Sequence, residues 1–146
     1  MRRWRSPASG WSLYAVDGRP HYCHNLVGLQ RFVVRGTETI PAGVHQVRME
    51  FEADGPALGA GGTVRLFVDG HEAGDGRLDA TVPMIYSGDE TLDVGSDLGT
   101  PVSDEYAAEG NGFSGRVTWV QIDVEPHDTD HLVDPQDRLH MILARQ

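Results

Sequence analysis

Four carboxylates, Asp93, Asp97, Asp104 and Glu105, fall within the stretch LDVGSDLGTPVSDEY, interrupted by the turn formers Gly95, Gly99 and Pro101. Calcium takes about six to eight hard oxygen ligands, and these side chains with nearby loop carbonyls are of the right chemistry to supply them. The spacing is not that of an EF-hand loop. A solvated connection between two strands therefore remains the alternative, and calcium is the one cofactor that the sequence suggests.

Other groupings are less convergent. HYCHN brings His21, Cys23 and His24 together, but on a strand His21 and Cys23 face one way and His24 the other, which keeps them from sharing one ion. Neither a CxxC nor an HExxH partner accompanies them. Cys23 as a nucleophile would need a cationic neighbour to lower its pKa, and only histidines lie close in sequence. HDTDH carries His127, Asp128, Asp130 and His131, ligand types that divalent ions accept, in what reads as a polar loop. Glu50 and Glu52 share a strand face, as a hydrolytic carboxylate pair could, but they equally suit a solvated face opposite Met49 and Phe51. GAGG, Gly59 to Gly62, leads into a strand and so lacks the helix N-terminus that cradles phosphate; it reads as a tight turn. No Gly-x-Ser-x-Gly elbow places a nucleophilic serine.

The elements that would position these residues are mostly strands. Eighteen glycines and eight prolines punctuate short runs rich in Val, Ile, Phe and Tyr, which predicts an all-β fold, an antiparallel β-sandwich or a barrel, with the β-sandwich the expected form. HQVRMEFEAD alternates most cleanly, with Val47, Met49 and Phe51 on one side. LYAVDGRPHY and VRLFVDGHEAG each place Asp-Gly between alternating runs, the signature of a type I′ hairpin. Further strands are expected at LQRFVVRG, at GRLDATVP and at FSGRVTWVQIDVE, with LDVG as a strand end. In DHLVDPQDRLHMILARQ, Asp134 can cap a short C-terminal helix that begins at Pro135 and carries a stripe of Leu139, Ile142 and Leu143. This divides the chain into an N-terminal extension (1–9), a β-sandwich (10–126) and a loop with a C-terminal helix (127–146).

Charge and composition narrow the partners. Among 146 residues, 12 are Lys or Arg and 22 Asp or Glu, a net charge of -10, which opposes nucleic acid and anionic membranes. A lone Cys23 cannot form an internal disulfide, and neither a signal-peptide run nor a membrane-spanning apolar segment is visible, so a cytoplasmic chain is expected. Phe67 stands opposite Val64, Leu66 and Val68, and Trp119 opposite Val120, Ile122 and Val124. Strands that are apolar on both faces leave two readings: the face carrying Phe67 or Trp119 is covered by another domain, a second subunit or the Leu139–Ile142–Leu143 helix, or these are scattered surface aromatics.

FVDG, then LDVGSD, then NGFSGRVTWVQIDV form an ordered pattern that resembles a concanavalin-like or laminin-G-like jelly roll. GWSLYAVDGRPHYCHNLVGLQRF, PAGVHQVRMEFEADGPALGAGGTVRLFVDG, DVGSDLGTPVSDEY and DHLVDPQDRL together resemble the C-terminal domain of large bacterial arylsulfatases, over nearly the whole chain from Gly10. That family hydrolyses sulfate esters with a formylglycine made from the Cys of Cys-x-Pro-x-Arg, beside a calcium in a separate α/β domain. Here the cysteine lies in CHNLV, so the resemblance transfers no catalytic residue. It implies a noncatalytic accessory domain that packs against a sulfatase catalytic domain or mediates homo-oligomer formation, whether within a longer polypeptide or as a separate chain. Two alternatives stand beside it. One is a lectin-like carbohydrate-binding module stacking sugars on Trp11, Tyr14, Tyr22, Tyr86 or Trp119; the other is a small jelly-roll hydrolase using Glu50 and Glu52.

Overall fold

A computed structural model describes residues 9–83 and 92–124. Six strands form two antiparallel three-stranded sheets: β1 (Gly10–Val16), β2 (Arg19–Leu26) and β3 (Gln30–Arg35) in the first, β4 (Val47–Ala53), β5 (Ala60–Val68) and β6 (His71–Ala80) in the second. Both sheets are meanders, each strand pairing with its neighbour in sequence. The described residues contain no helix, and none of their elements is a helix long and apolar enough to cross a membrane.

The two Asp-Gly hairpins form as expected. Asp17-Gly18 takes φ of 50° and 72°, and Asp69-Gly70 takes 49° and 81°, the left-handed pair that a type I′ turn requires. These turns set Val16 opposite Arg19 and Val68 opposite His71. Register then follows from alternation. Tyr22 lies across from Val34 and His24 across from Phe32, so one face of the first sheet presents Tyr22, Phe32 and Val34 to Val64, Leu66 and Leu78 of the second. Each such side chain contributes about 1.5–3 kcal/mol on burial.

The sheets meet along β3 and β6, where Thr37 N–H donates to the Ala73 carbonyl at 2.7 Å. They part on the side of β1 and β4. Trp11 and Leu13 share the inner face of β1, pairing across to His24 and Tyr22, yet stay 36% and 37% exposed; Phe51, opposite Val64 on β4, is 40% exposed.

Four expectations need correction. GRLDATVP is not a separate strand but the continuation of the second hairpin arm in one strand, β6, with an irregularity between Leu66 and Phe67 in its pairing with β5. Its glycines serve close approach: a Cβ at Gly74 would stand 2.9 Å from the Arg35 carbonyl oxygen, and one at Gly76 2.7 Å from Val34 Cγ2. GAGG is a turn only through Gly59, at φ 75°; Gly61 and Gly62 belong to β5, where a Cβ would strike the carbonyls of Leu78 and Glu52. FSGRVTWVQIDVE is not a strand over 113–124, and LDVG is not a strand end. A strand exists by pairing, and among the described residues no ladder forms with either segment, which leaves Val117, Trp119, Val120, Ile122 and Val124 exposed. The C-terminal helix with Leu139, Ile142 and Leu143, the HDTDH segment and Tyr86 lie outside the described residues.

Candidate functional site

The acidic stretch does not stand away from the protein. Its second half lies as a strap across the outer face of the first sheet. Cross-strand pairing places Tyr14 beside His21 and His21 beside Arg35, with Cys23 and Asn25 further along β2 and Arg31 opposite Asn25 on β3. The Val102 carbonyl accepts from Asn25 Nδ2 at 3.1 Å, Arg31 Nε at 3.0 Å and Cys23 Sγ at 3.6 Å. Ser103 is fully buried, its hydroxyl 2.9 Å from that of Tyr14.

Glu105 is the centre of this contact. Its Oε2 accepts from Tyr14 OH at 2.6 Å and from His21 Nδ1 at 2.7 Å, and its Oε1 accepts from Arg35 Nε at 2.7 Å. An ionised carboxylate only accepts, so the His21 proton sits on Nδ1. Burial opposes ionisation of Glu105, but the bonds from Tyr14, His21 and Arg35 outweigh it and hold its pKa at about 2. Burial and the bond to that carboxylate raise the Tyr14 phenol well above its usual range.

The neighbouring carboxylates are similarly engaged. Asp97 Oδ2 accepts from the Val102 N–H at 3.0 Å and Tyr106 OH at 2.6 Å, which fixes the start of the strap. Asp93 accepts from the Leu98 N–H, and Asp104 pairs with Arg31 at 3.2 Å. The four side chains expected to share a calcium therefore point to separate protein partners, and among the described residues no three His, Cys, Asp or Glu gather as a metal would need.

Chemically, the site docks a loop. Burial pushes the Cys23 thiol up to about 11, so it stays protonated at neutral pH. Glu105 has both oxygens occupied, and the Ser103 hydroxyl also accepts the Glu105 N–H at 3.1 Å. No activated nucleophile results. Glu50 and Glu52 are on the exposed face of β4, paired with Arg48 and Arg65 at 3.1 Å, and Arg48 covers the half-buried Phe67 ring at 4.4 Å. Trp119 is 61% exposed.

The sequence singled out the acidic stretch and HYCHN separately and did not join them; it also passed over Arg31, Arg35, Asn25 and Ser103. One signal was present. The Asp17-Gly18 turn sets Tyr14 against His21, and alternation then collects His21, Cys23 and Asn25 on a face too polar for core and too uncharged for open water.

The opposite face of β2 leads to a recess. Between the parted edges, Trp11, Tyr22 and His24 of the first sheet face Met49, Phe51 and Leu78 of the second, with Thr81 just past β6 and Ile122 from outside the sheets completing the lining, around about 230 Å³. Trp11 stacks on Tyr22 with ring centroids 6.4 Å apart. His24 Nε2 accepts the Val82 N–H at 3.2 Å, and burial lowers its pKa. Tyr22, one of the aromatics considered for sugar stacking, is in the core.

Comparison with protein-family models, with curated proteins and with solved structures gives no match to this chain.

Proposed function

We propose that this chain is a noncatalytic accessory β-domain that packs against the catalytic domain of a sulfatase. The observation that carries this reading is the open recess: Trp11, Phe51 and Ile122 converge from three distant parts of the chain and stay 36%, 40% and 50% exposed. Apolar groups that converge and that the described residues leave uncovered mark a surface that meets another protein. The chemistry-bearing residues support the same reading from the other side, since Glu105, His21, Ser103 and Cys23 are spent on holding the strap. The resemblance of several sequence phrases to arylsulfatase C-terminal domains is what suggests the partner, and on this reading the two sheets would belong to a jelly-roll sandwich of the concanavalin-like or laminin-G-like type.

Co-expression with a sulfatase polypeptide that carries Cys-x-Pro-x-Arg tests it. The two chains should co-elute in size exclusion, and the catalytic polypeptide should keep its hydrolysis of 4-nitrophenyl sulfate longer on heating. A chain that elutes alone and leaves that half-life unchanged would refute the reading.

A further inference from the structure

The recess between β1 and β4 has the size and lining of a socket for one side chain. Its volume of about 230 Å³ lies below the roughly 300–1,000 Å³ of small-molecule sites. Its apolar walls include Trp11 on one sheet, Met49 and Phe51 on the other, and Ile122 from outside the sheets. Its lining is mainly apolar, and its polar groups are the Thr81 and Tyr22 hydroxyls, the Trp11 indole N–H and His24, whose Nε2 is already bonded to the Val82 N–H. A sugar would find few partners for its hydroxyls there, whereas an aromatic or branched apolar side chain would exchange water for ring faces and a polarisable sulfur.

The overall charge of the chain, not any carboxylate in the lining, bears on the surroundings of that side chain. The chain carries -10 at neutral pH, and a second copy would bring the same negative field to the contact. A segment whose apolar residue is flanked by cations is drawn in instead. We propose that the recess between β1 and β4 is the anchor pocket through which this chain holds its partner polypeptide, receiving one aromatic or branched apolar side chain flanked by lysine or arginine. The inference rests on the accessory-domain reading for the identity of the partner, and it locates the contact on this chain.

The test uses the full chain, isotope-labelled, and the blocked tripeptide Lys-Phe-Lys as probe, with Lys-Ala-Lys and Glu-Phe-Glu as controls. Lys-Phe-Lys should shift the Trp11 indole N–H and Ile122 amide signals saturably, with at least about tenfold weaker binding of both controls. Phe51→Ser should abolish the shifts, and Leu13→Ser, on the same open side but outside the recess, should keep them. No saturable shift, equal binding of Glu-Phe-Glu, or movement of the same signals with protein concentration alone would each overturn the pocket, the last in favour of a second copy. A sulfatase complex that survives Phe51→Ser overturns the pocket and leaves the accessory-domain reading standing. Peptide binding without any sulfatase complex does the reverse.

Discussion

The Tyr14 hydroxyl donates to Glu105 at 2.6 Å across 91 positions of sequence, and that bond ties the acidic strap to the first strand of the fold. With His21 and Arg35 on the same carboxylate, the strap is held by charge-assisted bonds, each worth about 1.5–3 kcal/mol when the charged partner is retained. Glu105→Gln keeps the shape and removes the charge, so it should lower unfolding stability by about 1.5–3 kcal/mol in urea titrations. It should also change the acid limb. The folded pKa, about 2, lies below the ordinary 4.5, so the contribution of Glu105 is complete above about pH 4.5 and is lost as pH falls toward 2. The variant should show a flatter stability profile across that window, and an identical profile would mean that another carboxylate drives acid unfolding.

Cys23 reports on the same strap. It is fully buried, and with a pKa of about 11 only about one thiol in a thousand is ionised at pH 8. Iodoacetamide should label it slowly in the native protein. If Glu105→Gln makes opening easier by about 1.4 kcal/mol, labelling should quicken about tenfold. An unchanged rate would show that the thiol is reached by a route that leaves the strap closed.

What the sequence makes legible is local. Asp17-Gly18 and Asp69-Gly70 dictate their turns through the φ values that few other pairs adopt, and the alternation in VRMEFEA places Met49 toward the core from its own spacing. The strap is different in kind. Arg31 meets the Val102 carbonyl across 71 positions, and neither segment has a period that announces the other. Glycine misled for a physical reason: Gly74 and Gly76 resemble turn punctuation, but they stand where a neighbouring sheet leaves no room for a Cβ. Trp119 and Val120 show the converse limit, since they find no pairing partner among the described residues and β-propensity without one makes no strand.

That close approach yields a direct test. Gly74→Ala would put its Cβ 2.9 Å from the Arg35 carbonyl oxygen and 3.0 Å from Gly36 Cα, where backbone on both sides must shift. Stability should fall by about 1–3 kcal/mol. Gly55→Ala, with nothing within 4 Å, should stay within about 0.5 kcal/mol of the parent. Calorimetric melting of both variants checks the contrast, and equal effects would mean that β3 and β6 are not held so closely.

Val27 is held at φ 53° in the turn between β2 and β3, a conformation that costs a β-branched residue about 1–2 kcal/mol. Its side chain is 41% exposed and so gives up little packing if replaced. Val27→Asn should raise the urea midpoint by the equivalent of about 1 kcal/mol, because asparagine tolerates this region. A loss of stability would show that the valine methyls contribute more than the backbone strain costs.

His24 sets the lower pH limit on the other face of β2. Burial lowers its folded pKa below the ordinary 6.5, so below that value the unfolded chain takes up a proton that the folded chain resists. Its contribution is present above about pH 6.5 and lost as pH falls through the folded value. Unfolding free energy measured from pH 7.5 to 5 should therefore decline on acidification well above the range where Glu105 titrates. His24→Gln keeps an acceptor for the Val82 N–H and should remove that decline while leaving the limb below pH 4.5 in place. A decline that persists in the variant would assign it to a different histidine.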